Sequence, residues 1–176
     1  MAKAARDPLL GTVRVALSVG MVIAILITMA SLGSIPLALV SRGRIIAEIA
    51  RRGSVTIAPD FIWVICGICL LIALAAFIGF RFLRELRRII DTVAEGDPFI
   101  PDNAIRLQRM GWLALAIQLI AIPAGVLSGW ASYLAHARYV DISFSFSGAL
   151  LALILFVLAR VFRKGSDMRE ELEGTV

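Results

Sequence analysis

The chain has 176 residues, 60% of them hydrophobic, with a mean hydropathy of +0.90, a net charge of +5 and a pI near 10.0. A soluble domain of that length has too little interior to hide so much apolar surface, so composition argues against a soluble fold and for a membrane protein. The basic balance would fit a nucleic-acid binder, but the charges lie between hydrophobic runs and accompany no recognisable binding module, which argues against direct nucleic-acid contact.

Four runs, about 15–40, 61–82, 110–133 and 144–162, are near or above the ~20 apolar residues that about 30 Å of hydrocarbon demands, and none has a charge in its centre. Each must pair its backbone groups internally, so all four are predicted helices and residues 1–176 form one all-α integral membrane bundle. The first run follows Lys3 and Arg6 and includes the polar positions Thr28, Ser31 and Ser34. It far exceeds the roughly 7 to 15 apolar residues of a signal peptide and no A-x-A site follows, so it reads as a retained span.

The connecting stretch "SRGRIIAEIARRGSVTIAPD" sets Ile45, Ile46 and Ile49 near one helical face beside Arg42, Arg44, Arg51 and Arg52. That pattern suits a short helix on the outer leaflet that meets anionic headgroups, or one that simply caps the bundle. In the second run Cys66 and Cys69 stand three apart, without a βαβ context or an accessible base to lower a thiol pKa. Small packing residues are the main reading, and a redox pair is the alternative.

Beyond Arg81 the helical spacing continues through Leu83, Leu86, Ile90 and Val93, with Arg84, Arg87, Arg88 and Asp91 on other faces, so the second helix extends past the membrane. Gly96 suits a C-terminal cap and Pro98 cannot continue the helix. Pro101, Asp102 and Asn103 carry first-turn chemistry, so a new helix begins there and runs through Ile105, Arg106 and Arg109 into the third span. Residues 83–109 thus form a helical hairpin. Its turn leaves Phe99 and Ile100 to fold back on the hairpin or the membrane surface, or else to anchor a partner protein. Gly96, Asp97, Pro98, Phe99, Pro101, Asn103 and Arg106 are therefore candidates for partner binding or for a structural turn.

In the third run Gln118 and an expected break at Pro123 are the main polar features, and Ala121, Gly125 and Gly129 form a small-x-x-x-small ladder. This ladder lets a helix approach closely, with Ala75 and Gly79 of the second run as the facing surface within the bundle, or with another copy in a homo-oligomer. His136 in the loop "LAHARYVD" has only Asp141 nearby, too little for a metal site. The tail, 163–176, carries Asp167, Glu170, Glu171 and Glu173 and is expected either to pack on Arg84, Arg87 and Arg88 or to stay solvated.

Thirteen of the eighteen Lys and Arg lie at the N-terminus (Lys3, Arg6, Arg14), from Arg81 through the hairpin (with Arg84, Arg87, Arg88, Arg106, Arg109) and from Arg160 onward (with Arg163, Lys164, Arg169), so the positive-inside rule puts both termini and the hairpin in the cytoplasm. Aromatic residues mark the far interface: Phe61 and Trp63, Trp130 and Tyr133, then Tyr139, Phe144 and Phe146.

The segments "FLRELRRIIDTVAEGDPFIPDNAIRLQRMGW" and "FSFSGALLALILFVLARVFRKGSDMREELEGTV" resemble the YoaS-type family of bacterial membrane proteins, a numbered domain of unknown function (two-nine-seven-five). The most specific piece is G-D-P-F-x-P-x-N, here Gly96, Asp97, Pro98, Phe99, Pro101 and Asn103. The resemblance implies a four-helix protein of the bacterial inner membrane without an established activity. It also implies a gene neighbourhood that often includes a small helix-turn-helix regulator, hence a cytoplasmic face that holds or releases such a partner. A weaker likeness, the "I-x-x-V-x-x-G-D" rhythm of receptor signal linkers, is local convergence, because the chain re-enters the membrane.

No catalytic constellation and no cofactor site emerge, so a non-catalytic regulatory or interaction module is expected. The alternatives are an oligomeric small-molecule transporter or channel component, disfavoured by the lack of ionisable residues in mid-span, and a lipid or envelope sensor.

Overall fold

The computed structural model describes residues 8–53, 60–134 and 146–173. Lys3, Arg6, His136, Arg138, Tyr139, Asp141 and Phe144 lie outside the described residues. All the regular elements described are helices: α1 (Pro8–Val40), α2 (Arg42–Gly53), α3 (Phe61–Ala94), α4 (Pro101–Leu134) and α5 (Phe146–Glu173). Four of these, α1, α3, α4 and α5, are long and apolar enough to cross a membrane, which makes this a multi-pass membrane protein. Only 11% of the most apolar window of α1 is buried in the protein, and Val15, Leu26 and Met29 stand exposed. Their apolar surface needs lipid.

The helices run further than hydropathy alone marks. α3 continues unbroken to Ala94, and α5 carries the charged tail in helical form to Glu173. The break expected at Pro123 is absent: α4 is continuous through it, as α1 is through Pro36. A proline removes one hydrogen bond from the ladder, and inside a membrane helix no water competes for the freed carbonyl, so the helix is not ended.

The chain divides into two compact units. The first contains residues up to Ile23, Ile78–Ala116 and Phe146 onward. Its core takes Ile89 from α3, Leu107, Met110 and Ala114 from α4, and Ala152, Leu155 and Ala159 from α5. Spacings of three and four on α4 and α5 put each set on a single stripe. The alanines, with Gly111, keep that stripe low enough for ring packing: Phe156 lies where a Cβ on Gly111 would be 2.9 Å from its ring. Leu83 lies against Gly20 of α1 in the same way, 3.2 Å from the Cβ position.

The second unit contains Ala24–Phe77 and Ile117–Ser145. It buries Phe61, Ile62 and Val64 at the start of α3, and Gln118, Ala124 and Ser128 on α4. Trp63, Trp130 and Tyr133 are exposed, as membrane-interface anchors require, whereas Phe61, expected among them, is a core residue at 7% exposure.

Candidate functional site

The segment joining α3 to α4 is built by local chemistry. At the end of α3 the Asp97 N–H donates to the Thr92 carbonyl (3.2 Å) and the Gly96 N–H to that of Val93 (3.1 Å). These are the two bonds of a Schellman cap, and they need a left-handed residue between them, which Gly96 supplies at φ +92°. Pro101 opens α4, where a missing N–H costs nothing.

Asn103 ties the two helices together and is fully buried. Its Nδ2 donates to the Thr92 hydroxyl (2.8 Å) and to the Pro98 carbonyl (2.9 Å), and its Oδ1 accepts from Arg106 (2.9 Å). Thr92 in turn donates to the Ile89 carbonyl at 2.8 Å, and Arg106 also reaches the Arg88 carbonyl at 3.4 Å. An amide is the one side chain that offers two donors and an acceptor from a single flat group of this size.

The other helices of this unit are fastened to the same end. Phe99 folds back on α5, its ring 5.2 Å from that of Phe162 and seated over Gly165, where a Cβ would approach it to 2.9 Å. Arg169 pairs with Asp97, and Arg163 donates to Gln108 at 3.1 Å. On α1, Arg14 pairs with Asp91 at 2.8 Å and Ser18 accepts from Arg87 at 3.3 Å. The polar end of α5 thus meets the turn at Asp97 and Phe99. The Phe99 contact with Phe162 and Gly165 sets which part of α5 faces the turn.

Glu85 is a buried residue that sequence reasoning missed. It is 3% exposed, Oε1 accepts from Arg88 at 3.3 Å, and Oε2 has no hydrogen-bond partner among the described residues. A buried carboxylate with half its acceptor capacity idle opposes folding. Glu85→Gln retains the shape and an acceptor for Arg88, so it should raise the unfolding midpoint in detergent by the equivalent of about 1 kcal/mol. A fall of similar size would mean that the carboxylate is fully compensated.

The remaining sequence candidates sit as follows. Ala121, Gly125, Gly129, Ala75 and Gly79 are all partly buried, and a Cβ on Gly79 would meet nothing within 4 Å. In the second unit α3 comes close to α4 at Gly67, where a Cβ would lie 3.2 Å from Leu127. Thr28 and Ser34 spend their hydroxyls within α1, on the Ala24 (2.8 Å) and Ser31 (2.7 Å) carbonyls. Gln118 is buried and has a polar partner. Cys66 and Cys69 are free thiols, partly exposed on α3. No group of three metal-ligating side chains occurs among the described residues.

A capped turn, an asparagine buried beneath it and a phenylalanine folded onto α5 give the G-D-P-F-x-P-x-N run one physical purpose. The chain matches the family described as protein of unknown function (DUF2975) over residues 2–176. It belongs to that family. No curated protein and no solved structure matches it. For a DUF2975 chain the structure therefore supplies what the family description leaves open: which side chains hold the polar end of the first unit together, and which remain outside it.

Proposed function

We propose that this chain is a non-catalytic interaction module of the bacterial inner membrane, with its termini and the α3–α4 turn in the cytoplasm, and that the turn and the polar end of α5 receive a protein partner. The reading rests chiefly on the contrast between what is tied and what is left exposed at that end. Asn103 and Thr92 are spent on internal bonds, yet Val93, Phe99, Ile105 and Met168 stay 39–52% exposed in a part of the chain rich in charge. Exposed apolar side chains on a fixed frame, among charged neighbours, are the composition of a protein-docking surface. The Lys and Arg distribution supports the cytoplasmic side, where a soluble regulator would be met. A helix-turn-helix regulator is the partner that the family resemblance favours.

A photoreactive residue at Ile105, exposed and outside every tie described above, tests this in the native host. Capture of a DNA-binding regulator, abolished by Met168→Glu or Val93→Glu in protein that still inserts, is the expected result. Crosslinks confined to the chain itself or to a second copy would overturn it.

A further inference from the structure

A groove of about 470 Å³ opens on the first unit between α4 and α5, lined by Gln108, Phe156, Ala159, Arg160 and Arg163. Its two ends differ in chemistry. Arg160 is the first charged residue after the apolar run that begins α5, and Gln108 stands beside Arg109, the last charged residue before the apolar run of α4. The Arg163–Gln108 hydrogen bond, 3.1 Å, brings these two boundaries to one level. Below them Trp112, 61% exposed, meets the Phe156 ring edge-on at 5.3 Å. Charged heads above an exposed tryptophan are the arrangement found where a protein crosses the headgroup layer.

The charge in the groove is uncompensated. Among the described residues Arg160 has no hydrogen-bond or ion-pair partner, Arg163 meets only the neutral Gln108, and no carboxylate lines the cavity. Arg160 and Arg163 are three apart on one helix, so both guanidinium groups project from the same side. Guanidinium pairs of this kind suit a phosphate, which they bind through paired N–H···O bonds. A choline or ethanolamine group would find no anion here. We propose that the α4–α5 groove is a binding site for a glycerophospholipid of net negative charge, its phosphate held by Arg160 and Arg163 and its acyl chain lying along Phe156 and Trp112.

The test uses the full chain purified in detergent and native mass spectrometry with phosphatidylglycerol and phosphatidylcholine in equal amounts. The wild type should retain phosphatidylglycerol preferentially, by roughly thirtyfold for two interfacial arginines. Arg160→Gln, which breaks no contact within the fold, should lose roughly a third to a half of that preference on a logarithmic scale, and Arg160→Gln/Arg163→Gln nearly all of it. Arg81→Gln/Lys164→Gln removes the same charge outside the groove and should retain the preference. Equal retention by the groove variant and the wild type would overturn the proposal. So would an equal loss in the Arg81/Lys164 control, which would mean general surface attraction. Saturation of the site by inorganic phosphate, with lipid then excluded, would overturn the lipid assignment.

Discussion

Asn103→Ala should lower the stability of the protein by about 2–4 kcal/mol, the largest loss expected from any single truncation at the α3–α4 turn. The change removes three hydrogen bonds at once, one of them to an arginine, and leaves the part-buried Pro98 carbonyl without its donor. Asn103→Asp is the sharper variant. It retains the size but turns an acceptor toward the Pro98 carbonyl and the Thr92 oxygen, so it should be no better than alanine. Thermal unfolding in detergent, followed by tryptophan fluorescence, reads both. A loss below about 1 kcal/mol for either would mean that the turn is held by its Schellman cap and the Phe99 contact alone.

Gly111→Val should be nearly as damaging, for a steric reason. The added Cβ would lie 2.9–3.1 Å from three atoms of the Phe156 ring, before the two methyls are counted. That ring packs on the core of the first unit on one side and on Trp112 on the other, so it can retreat only into the α4–α5 groove and at the loss of those contacts. Overpacking of this kind costs about 1–3 kcal/mol, and a β-branched side chain adds rotamer restriction in a helix. Because Phe156 touches Trp112, the variant should also shift the tryptophan emission. Gly79→Ala is the control: its Cβ meets nothing within 4 Å, so a helix-favouring change there should be neutral or stabilising. Equal losses at the two glycines would refute the packing account.

Much of this was legible in the sequence because it is local. Four spans follow from run length, and the turn follows from Gly96, Pro98 and Pro101, each of which acts within its own few residues. The resemblance carried by G-D-P-F-x-P-x-N pointed to the family that the whole chain matches. What stayed hidden is non-local. Periodicity named Leu83, Leu86, Ile90 and Val93 as the apolar face of α3, whereas Ile89 and Glu85 are the buried positions and Val93 is exposed. A glutamate on the inner face defeats any rule that assigns charge to the outside. The sequence also left Phe99 open between the hairpin and a partner, because choosing α5 requires knowing that Phe162 and Gly165 lie opposite it. Asn103 read as first-turn chemistry, and nothing in one strand of text shows that its donors reach back to Thr92.

The seat of Phe99 over Gly165 has a thermodynamic consequence for the end of the chain. The polar part of α5, Arg163 to Glu173, is eleven residues long and includes a glycine. The membrane part of α5 supplies the nucleus, but beyond it each further residue gains little in water and glycine subtracts about 1 kcal/mol, so the last turns fray readily. Helicity there is thus borrowed from the ring that fills the space where a side chain would be and from the Arg169–Asp97 pair. Winding of the last turns and closure of the α3–α4 turn then share one free energy. Whatever grips Phe99 must compete with the tail's coil-to-helix transition, and whatever orders the tail holds Phe99 in place, by the same factor in each direction.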